Sequence, residues 1–256
     1  MSDTTSAVSV SPDPSVSTEI LGLFNTAQSD ITTGTPRSQT RYYLDTTGSP
    51  RRADLESFIA SRFNKYYGAS IVEFYPLLLA RYDRSRISSI VGLRSGSNRP
   101  LFLEQYLETS LAQTIAHKAG QTVQRDSIME IGNLASSFNS GNRLMFVLLT
   151  AILARAGYMW VVFTATNQVR SMLERLNLKP VSLCQADESK LVDENQVWGS
   201  YYRSQPIVQA GNVAEAMAIL QSAKVARRFI DDHEHQIATL ASQLQCHHGR
   251  EHPPYV

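Results

Sequence analysis

Cysteine is scarce in this sequence: Cys184 and Cys246 are the only two among 256 residues. They are too few for a disulfide scaffold, and no CxxC pair suggests a structural zinc. A reduced, cytoplasmic setting is the simplest expectation. Surplus charge is also missing, since 24 Lys and Arg face 23 Asp and Glu for a formal charge of +1. A chain so balanced has no overall field for holding a polyphosphate, so no nucleic-acid polymer is expected as a partner. No Lys or Arg precedes Arg37, and the basic start and apolar stretch of a secretory signal are therefore lacking. Nor is there a long apolar run. The most apolar segment, Leu144 to Ala154, is closed on both sides by Arg143 and Arg155 and falls short of the roughly 20 residues that cross a bilayer. It reads as a buried core helix, with no membrane span expected. Gly92-Leu93-Arg94-Ser95-Gly96 lacks the GxGxxG spacing of a dinucleotide fingerprint.

Residues 1–38 are rich in Ser, Thr and Pro and poor in aromatics, the composition of a flexible leader that buries too little apolar area to offset its ordering entropy. Its apolar patch, Ile20-Leu21-Gly22-Leu23-Phe24, has the alternative of a short docking helix. The texture changes at Gln39, and a folded domain is expected over 39–210. Gln39 to Thr46 has strand content, and Arg51 to Tyr67 carries Leu55, Phe58, Ile59, Phe63 and Tyr66 on one helical face before Gly68 as a stop. Tyr75 to Tyr82 and Ile87 to Leu93 read as a hairpin around Asp83-Arg84-Ser85, and Ser110 to Lys118 as a helix capped by Ser110 and ended by Gly120.

The central run is β-α-β-α-β: strand Ser127 to Ala135, helix Ser140 to Arg155, strand Met159 to Thr164, helix Asn167 to Leu176, strand Pro180 to Cys184. Crossovers between parallel strands are right-handed almost without exception, so the first two strands are expected as parallel neighbours flanked by the helix. Trp198 to Val208 reads as a last strand. An amphipathic C-terminal helix is expected over 211–245, burying its stripe against the domain or against a second subunit as a homodimer, and 246–256 is expected as a disordered tail.

This order of elements resembles the GCN5-related N-acyltransferase (GNAT) fold. In wording, the stretches Arg62-Phe63-Asn64-Lys65-Tyr66-Tyr67-Gly68-Ala69, Val91-Gly92-Leu93-Arg94, Leu101-Phe102-Leu103-Glu104-Gln105-Tyr106-Leu107, Glu130-Ile131-Gly132-Asn133-Leu134-Ala135, Phe163-Thr164-Ala165-Thr166 and Trp198-Gly199-Ser200-Tyr201-Tyr202 resemble those of the thermostable hemolysin family, from about Arg41 to Asn212. Through Phe102-Leu103-Glu104 and Glu130-Ile131 the family resembles, more distantly, acyl-homoserine-lactone synthases, which share the acyltransferase core and take acyl groups from a carrier protein. The expected fold class is α/β, a GNAT-like mixed central sheet with flanking helices plus a long C-terminal helix.

The resemblance implies acyl transfer from a thioester to an amine. That reaction needs a neutral nucleophile, a polarised carbonyl and a proton for the leaving thiolate. The fold places the thioester where two parallel strands splay, here those of Glu130 and Thr164. Alternation puts Ile128, Glu130, Gly132 and Leu134 on one face and Met129, Ile131 and Asn133 on the other. A carboxylate among apolar neighbours has its pKa raised toward neutrality, as a general base requires. The alternative is a structural Glu130 paired with Arg125 or Arg94.

Tyr201 and Tyr202 lie on the expected last strand, near where the fold often places a phenol that protonates the thiolate; their alternative is a place in the core or the pocket wall. Glu104, Tyr106, Thr164 and Trp198 are the candidate acceptor pocket. Asn133, Leu134, Ser140, Gly141, Asn142 and Arg143 are the candidate donor site, with Ser140 also an ordinary helix cap. The loop before the central helix lacks the full Arg/Gln-x-x-Gly-x-Gly/Ala pattern of coenzyme A users. This departure favours acyl-phosphopantetheine on an acyl carrier protein over acyl-CoA, with no tightly bound cofactor and a small-molecule amine as acceptor. Cys184 reads as a core thiol and His117 as structural, and the tail from Cys246 to His252 lacks zinc-finger spacing, so no metal site is expected. Three functions follow: an amide-forming acyltransferase in specialised metabolism, a membrane-active hemolysin-like protein, and a non-catalytic acyl-thioester-binding module.

Overall fold

The computed structural model describes residues 40–97, 100–137, 139–192 and 197–250, with backbone alone for 139–142 and 248–250. The leader at 1–38, its apolar patch, and 251–256 of the tail lie outside the described residues.

Strand β1 (Thr40–Asp45) is followed by helix α1 (Arg52–Tyr67), which buries Leu55, Ile59 and Phe63 at four-residue steps. Gly68, at φ 65°, ends it by donating its N–H to the Asn64 carbonyl at 2.8 Å. Strands β2 (Leu77–Asp83) and β3 (Arg86–Ser95) form the expected hairpin. Its two-residue loop, Arg84 and Ser85, has φ of 49° and 67°, the positive pair that matches the twist of a tight hairpin. A 3-10 turn (Phe102–Tyr106) leads to α2 (Leu111–Ala119), which Ser110 caps through its side chain on the Gln113 N–H.

Next come β4 (Ile128–Ser136), α3 (Asn139–Ala156), β5 (Trp160–Ala165), α4 (Asn167–Arg175), β6 (Val181–Gln185) and β7 (Ile207–Asn212). The sheet order is β1-β2-β3-β4-β5-β7-β6. β4 and β5 are parallel, as expected, and every other neighbouring pair is antiparallel. The result is the expected mixed α/β sheet with helices on both faces. One face carries Leu77, Leu79, Met129, Ile131 and Phe163 beneath α3, whose Met145, Leu148, Leu149 and Ile152 are buried. The opposite face holds two smaller clusters, one under α1 with Leu78, Ile90 and Ala135, the other under α2 with Ile128, Trp160 and Val162.

Two expectations change. Residues 198–206 are not strand: Gly199 at φ 58° starts a turn, Tyr201–Ser204 is a 3-10 helix, Gln205 is at φ 48°, and β7 begins only after Pro206. Rings explain this, since Trp198, Tyr201 and Tyr202 pack on one another at centroid distances of 5.2 to 5.8 Å, which alternation in a strand would forbid. The C-terminal region is helical in three segments, α5 (Val213–Ser222), α6 (Lys224–Asp232) and α7 (Glu234–Arg250). Extended Ala223 and the wider His233 (φ −114°, ψ 11°) break the run, so each segment can lay its apolar side on the same core. Ile237, Leu240, Ala241 and Leu244 of α7 are buried with α3 inside the chain. Of the two partners expected for this stripe, the domain and a second subunit, the domain covers these residues. Among the described residues, no helix is long and apolar enough to cross a membrane.

Candidate active site

Glu130 lies on β4 and has no exposed surface. Its register explains the burial: Ile128 and Glu130 face the α1 and α2 side while Met129 and Ile131 face α3. The carboxylate receives the first two N–H groups of the 3-10 turn, Leu103 N–H on Oε1 at 2.7 Å and Phe102 N–H on Oε2 at 3.1 Å. Such N–H groups have no partner within their own turn. Burial outweighs these bonds, the charge of Arg94 and the influence of the Tyr75 hydroxyl, and pushes the Glu130 carboxyl up to about 7. Of the two structural partners expected for Glu130, Arg94 stands opposite it across β3 and β4. Arg125 is engaged elsewhere, gripping Glu104 with bonds of 2.5 and 2.8 Å.

Tyr75, just ahead of β2, was not singled out by its sequence and is central here. Gly92 and Gly132 are paired directly across β3 and β4. A Cβ on Gly132 would stand 2.8 Å from the Tyr75 Cζ and 2.9 Å from its Oη, and one on Gly92 would stand 2.9 Å from the Tyr75 Cβ. The two glycines are thus the slot in which the ring lies. The Arg94 guanidinium sits over the ring at 4.4 Å from its centroid, a cation on the electron-rich face. Burial first, then the Glu130 carboxylate, raises the Tyr75 phenol well above its usual range.

Asn133 has φ 47°, and one residue of β3 between Gly92 and Ile90 faces two of β4 between Gly132 and Ala135. This β-bulge corrects the simple alternation. The Asn133 amide accepts the Tyr75 N–H at 2.8 Å and donates to the Glu73 carbonyl at 3.3 Å, so it is engaged with the Tyr75 segment. Leu134 packs against the α3 core instead of sharing the face of Glu130. Parallel pairing of β4 with β5 ends at Ile131 and Phe163, whereas β5 stays paired with β7 to Ala165. From Gly132 on, β4 is no longer paired with β5, so the parallel ladder has its end one residue beyond the pair that holds Glu130. Thr164 is half-buried at the β5 side of it.

The remaining candidates separate into groups. Glu104 is a scaffold residue: besides Arg125 it accepts the N–H groups of Leu101 at 2.9 Å and Leu111 at 3.0 Å, and the guanidinium and these bonds hold its carboxyl below the usual range against burial. Tyr106 and Tyr202 share a hydrogen bond of 2.5 Å between hydroxyls. Trp198 and Tyr201 join them in an aromatic group with Phe63, Tyr67 and Phe102, but from the turn before β7 and not from a strand. Burial pushes the Tyr202 phenol up to about 12 and holds those of Tyr106 and Tyr201 higher still. Ser140, Gly141 and Asn142 lie in the first turn of α3, and Arg143 is exposed just after them. Cys184 is half-buried with its thiol raised by burial, and His117 is exposed on α2. Among the described residues, no group of three or more His, Cys, Asp or Glu is placed to hold a metal ion.

A family model described as Thermostable hemolysin matches residues 45–217. Among curated proteins, none matches the chain. Several solved structures are similar. The AHL synthase LasI is 10% identical, with 69% of this chain and 91% of that chain covered at a TM-score of 0.48. FeeM, an N-acyl amino acid synthase from uncultured soil microbes, is 11% identical, with coverages of 74% and 98% and the same TM-score of 0.48. The CoA-dependent acyl-homoserine lactone synthase BjaI is 10% identical, with coverages of 72% and 88% and a TM-score of 0.47.

Proposed function

The chain belongs to the thermostable hemolysin family, and from that premise we propose that it is a GNAT-like N-acyltransferase working in the cytoplasm. Its donor is an acyl group on a phosphopantetheine thioester, a carrier protein being preferred to coenzyme A, and its acceptor is the amine of a small molecule in specialised metabolism. One observation carries the reading: a carboxyl with no exposed surface, pushed up to about 7, one residue from the point where the pairing of two parallel strands ends. A base poised near the working pH is what proton removal from an ammonium or amine requires. The end of the parallel ladder suits the pantetheine arm, whose amides can bond the strand edges that β4 and β5 no longer share. The first turn of α3 with Arg143 offers N–H groups and a positive charge to one phosphate. Trp198, Tyr201, Tyr202 and Tyr106 form the wall on the acceptor side.

In the reaction the amine nitrogen attacks the thioester carbon, the C–N bond forms, Glu130 takes the proton, and the C–S bond breaks to give amide and thiol. Incubation with acyl-loaded carrier protein, acyl-CoA and a panel of amines, read by intact mass, tests this. The expected result is amine-dependent loss of the acyl group, abolished in Glu130→Gln. Transfer that is unaffected by that substitution rules out Glu130 as the base, and no transfer from any thioester rules out the reading.

A further inference from the structure

Glu130 cannot meet an amine directly. It has no exposed surface, and each carboxylate oxygen already accepts a backbone N–H, from Leu103 and from Phe102. The hydroxyl that acts on that carboxylate is that of Tyr75, whose ring lies over Gly132, two residues along the same face of β4, and under Arg94, which pairs with Glu130 across the strands. That hydroxyl lies 2.9 Å from where a Cβ on Gly132 would stand, at the first residue of β4 beyond its pairing with β5. The ring is fixed from three sides, by the Gly92 and Gly132 slot, by Asn133 on its backbone N–H and by Arg94 on its face. A phenylalanine would fill the same slot and keep the same cation, and would lack only the hydroxyl.

We propose that the Tyr75 hydroxyl carries the proton between the reacting amine and Glu130, an inference that rests on the acyl-transfer reading above. As the C–N bond forms, the amine proton passes to the Tyr75 oxygen while the phenol gives its own proton to the Glu130 carboxylate. As the C–S bond breaks, Tyr75 protonates the thiolate and is refilled from Glu130. Thioester and amine become amide and thiol, and neither side chain changes its state over the cycle. The charged and titratable groups facing this pair are Arg94 from β3, Arg125 ahead of β4, Tyr106 from the 3-10 turn and Tyr201 from the turn before β7. All the tyrosines are held protonated by burial, which keeps a neutral donor at every step.

The test is Tyr75→Phe in the full chain, assayed on the thioester and amine that the wild type turns over. The relay requires kcat to fall by about 100-fold or more, the scale of one positioned proton-transfer group, with thioester binding little changed. It also requires the low-pH limb of kcat/KM to move to higher pH, because Glu130 loses a hydroxyl that favours its anion. A purely structural tyrosine moves KM or stability and leaves that limb in place. A Tyr75→Phe enzyme with wild-type kcat and an unmoved limb overturns the relay. Gly132→Ala keeps the hydroxyl and displaces it; unchanged kcat there overturns the relay even if Tyr75→Phe does not fold. If the wild type transfers nothing, the function reading itself fails. Carbon-13 titration of Glu130 then still decides the coupling: a carboxyl pKa unmoved by Tyr75→Phe overturns it, and one moved upward supports it.

Discussion

Tyr106 and Tyr202 meet hydroxyl to hydroxyl at 2.5 Å across 96 residues of chain. The contact ties the 3-10 turn that supplies N–H groups to Glu130 to the aromatic turn ahead of β7. Either hydroxyl left alone is a buried group without its partner. Each single Phe substitution is expected to lower the unfolding free energy by about 1–3 kcal/mol. Tyr202→Phe should be the larger, because it strands the more deeply buried Tyr106. The double variant should lose less than the sum, which a double-mutant cycle in urea measures.

Gly199 supports the same turn. It has φ 58°, and a Cβ there would stand 2.0 Å from the Tyr67 carbonyl oxygen. Gly120 has φ 67° with open space around it. Gly120→Ala therefore meets only the left-handed penalty of about 1–2 kcal/mol. Gly199→Ala must also move backbone, and is expected to be more destabilising and to shift the fluorescence of neighbouring Trp198. Equal losses at the two positions contradict the packing described for the turn.

Glu130 makes stability depend on pH with a definite sign. Its folded carboxyl, at about 7, is above the ordinary 4.5, so between those values the folded state holds the proton that the unfolded state has released. The contribution is present below about pH 4.5 and is lost as pH rises through 7, to a total of about 3 kcal/mol at roughly 1.4 kcal/mol per unit. Denaturant melts across this window should show the decline in the wild type and a flatter line in Glu130→Gln. That variant starts lower, since its amide NH₂ cannot accept the second backbone N–H. A wild-type slope retained in Glu130→Gln removes Glu130 as its source.

Glu104 behaves in the opposite way. Its carboxyl is held below the usual range by Arg125 and two backbone N–H groups, so its stabilisation is present above the ordinary carboxylate pKa and is lost as pH falls through the lower folded value. Glu104→Ala leaves the Leu101 and Leu111 N–H groups unpaired and is expected to cost about 2 kcal/mol or more. Arg125→Met should cost less, because the guanidinium is about one-third exposed. Thermal melts of the two variants at neutral pH give the order.

Much of this arrangement was legible in the sequence. The crossover from β4 through α3 to β5 followed from a strand, an all-round apolar helix and a second strand, and Glu130 was conspicuous as the charged residue in an apolar run. Tyr75 was not, because its role depends on two glycines that come near it only after β3 and β4 pair. A signal was present: Gly92 and Gly132 each interrupt a strand pattern, and glycine inside a strand marks close approach of another group. The bulge at Asn133 was hidden for a related reason, since alternation assumes one residue opposite one. The turn at 198–206 read as strand because aromatics favour strands as well as ring clusters, and only tertiary packing chooses between them.

The position of β7 between β5 and β6 bears on the order in which the molecule is made. Strand β6 leaves the ribosome before β7, yet its place in the sheet is outside β7. Until residue 212 has emerged, the outer edge of β5 is open, and direct pairing of β6 with β5 is a trap that the finished chain must avoid. A nascent chain that already carries the aromatic turn but not yet β7 therefore lacks the strand that covers the outer edge of β5, and the sheet beside Glu130 is completed only when β7 has emerged.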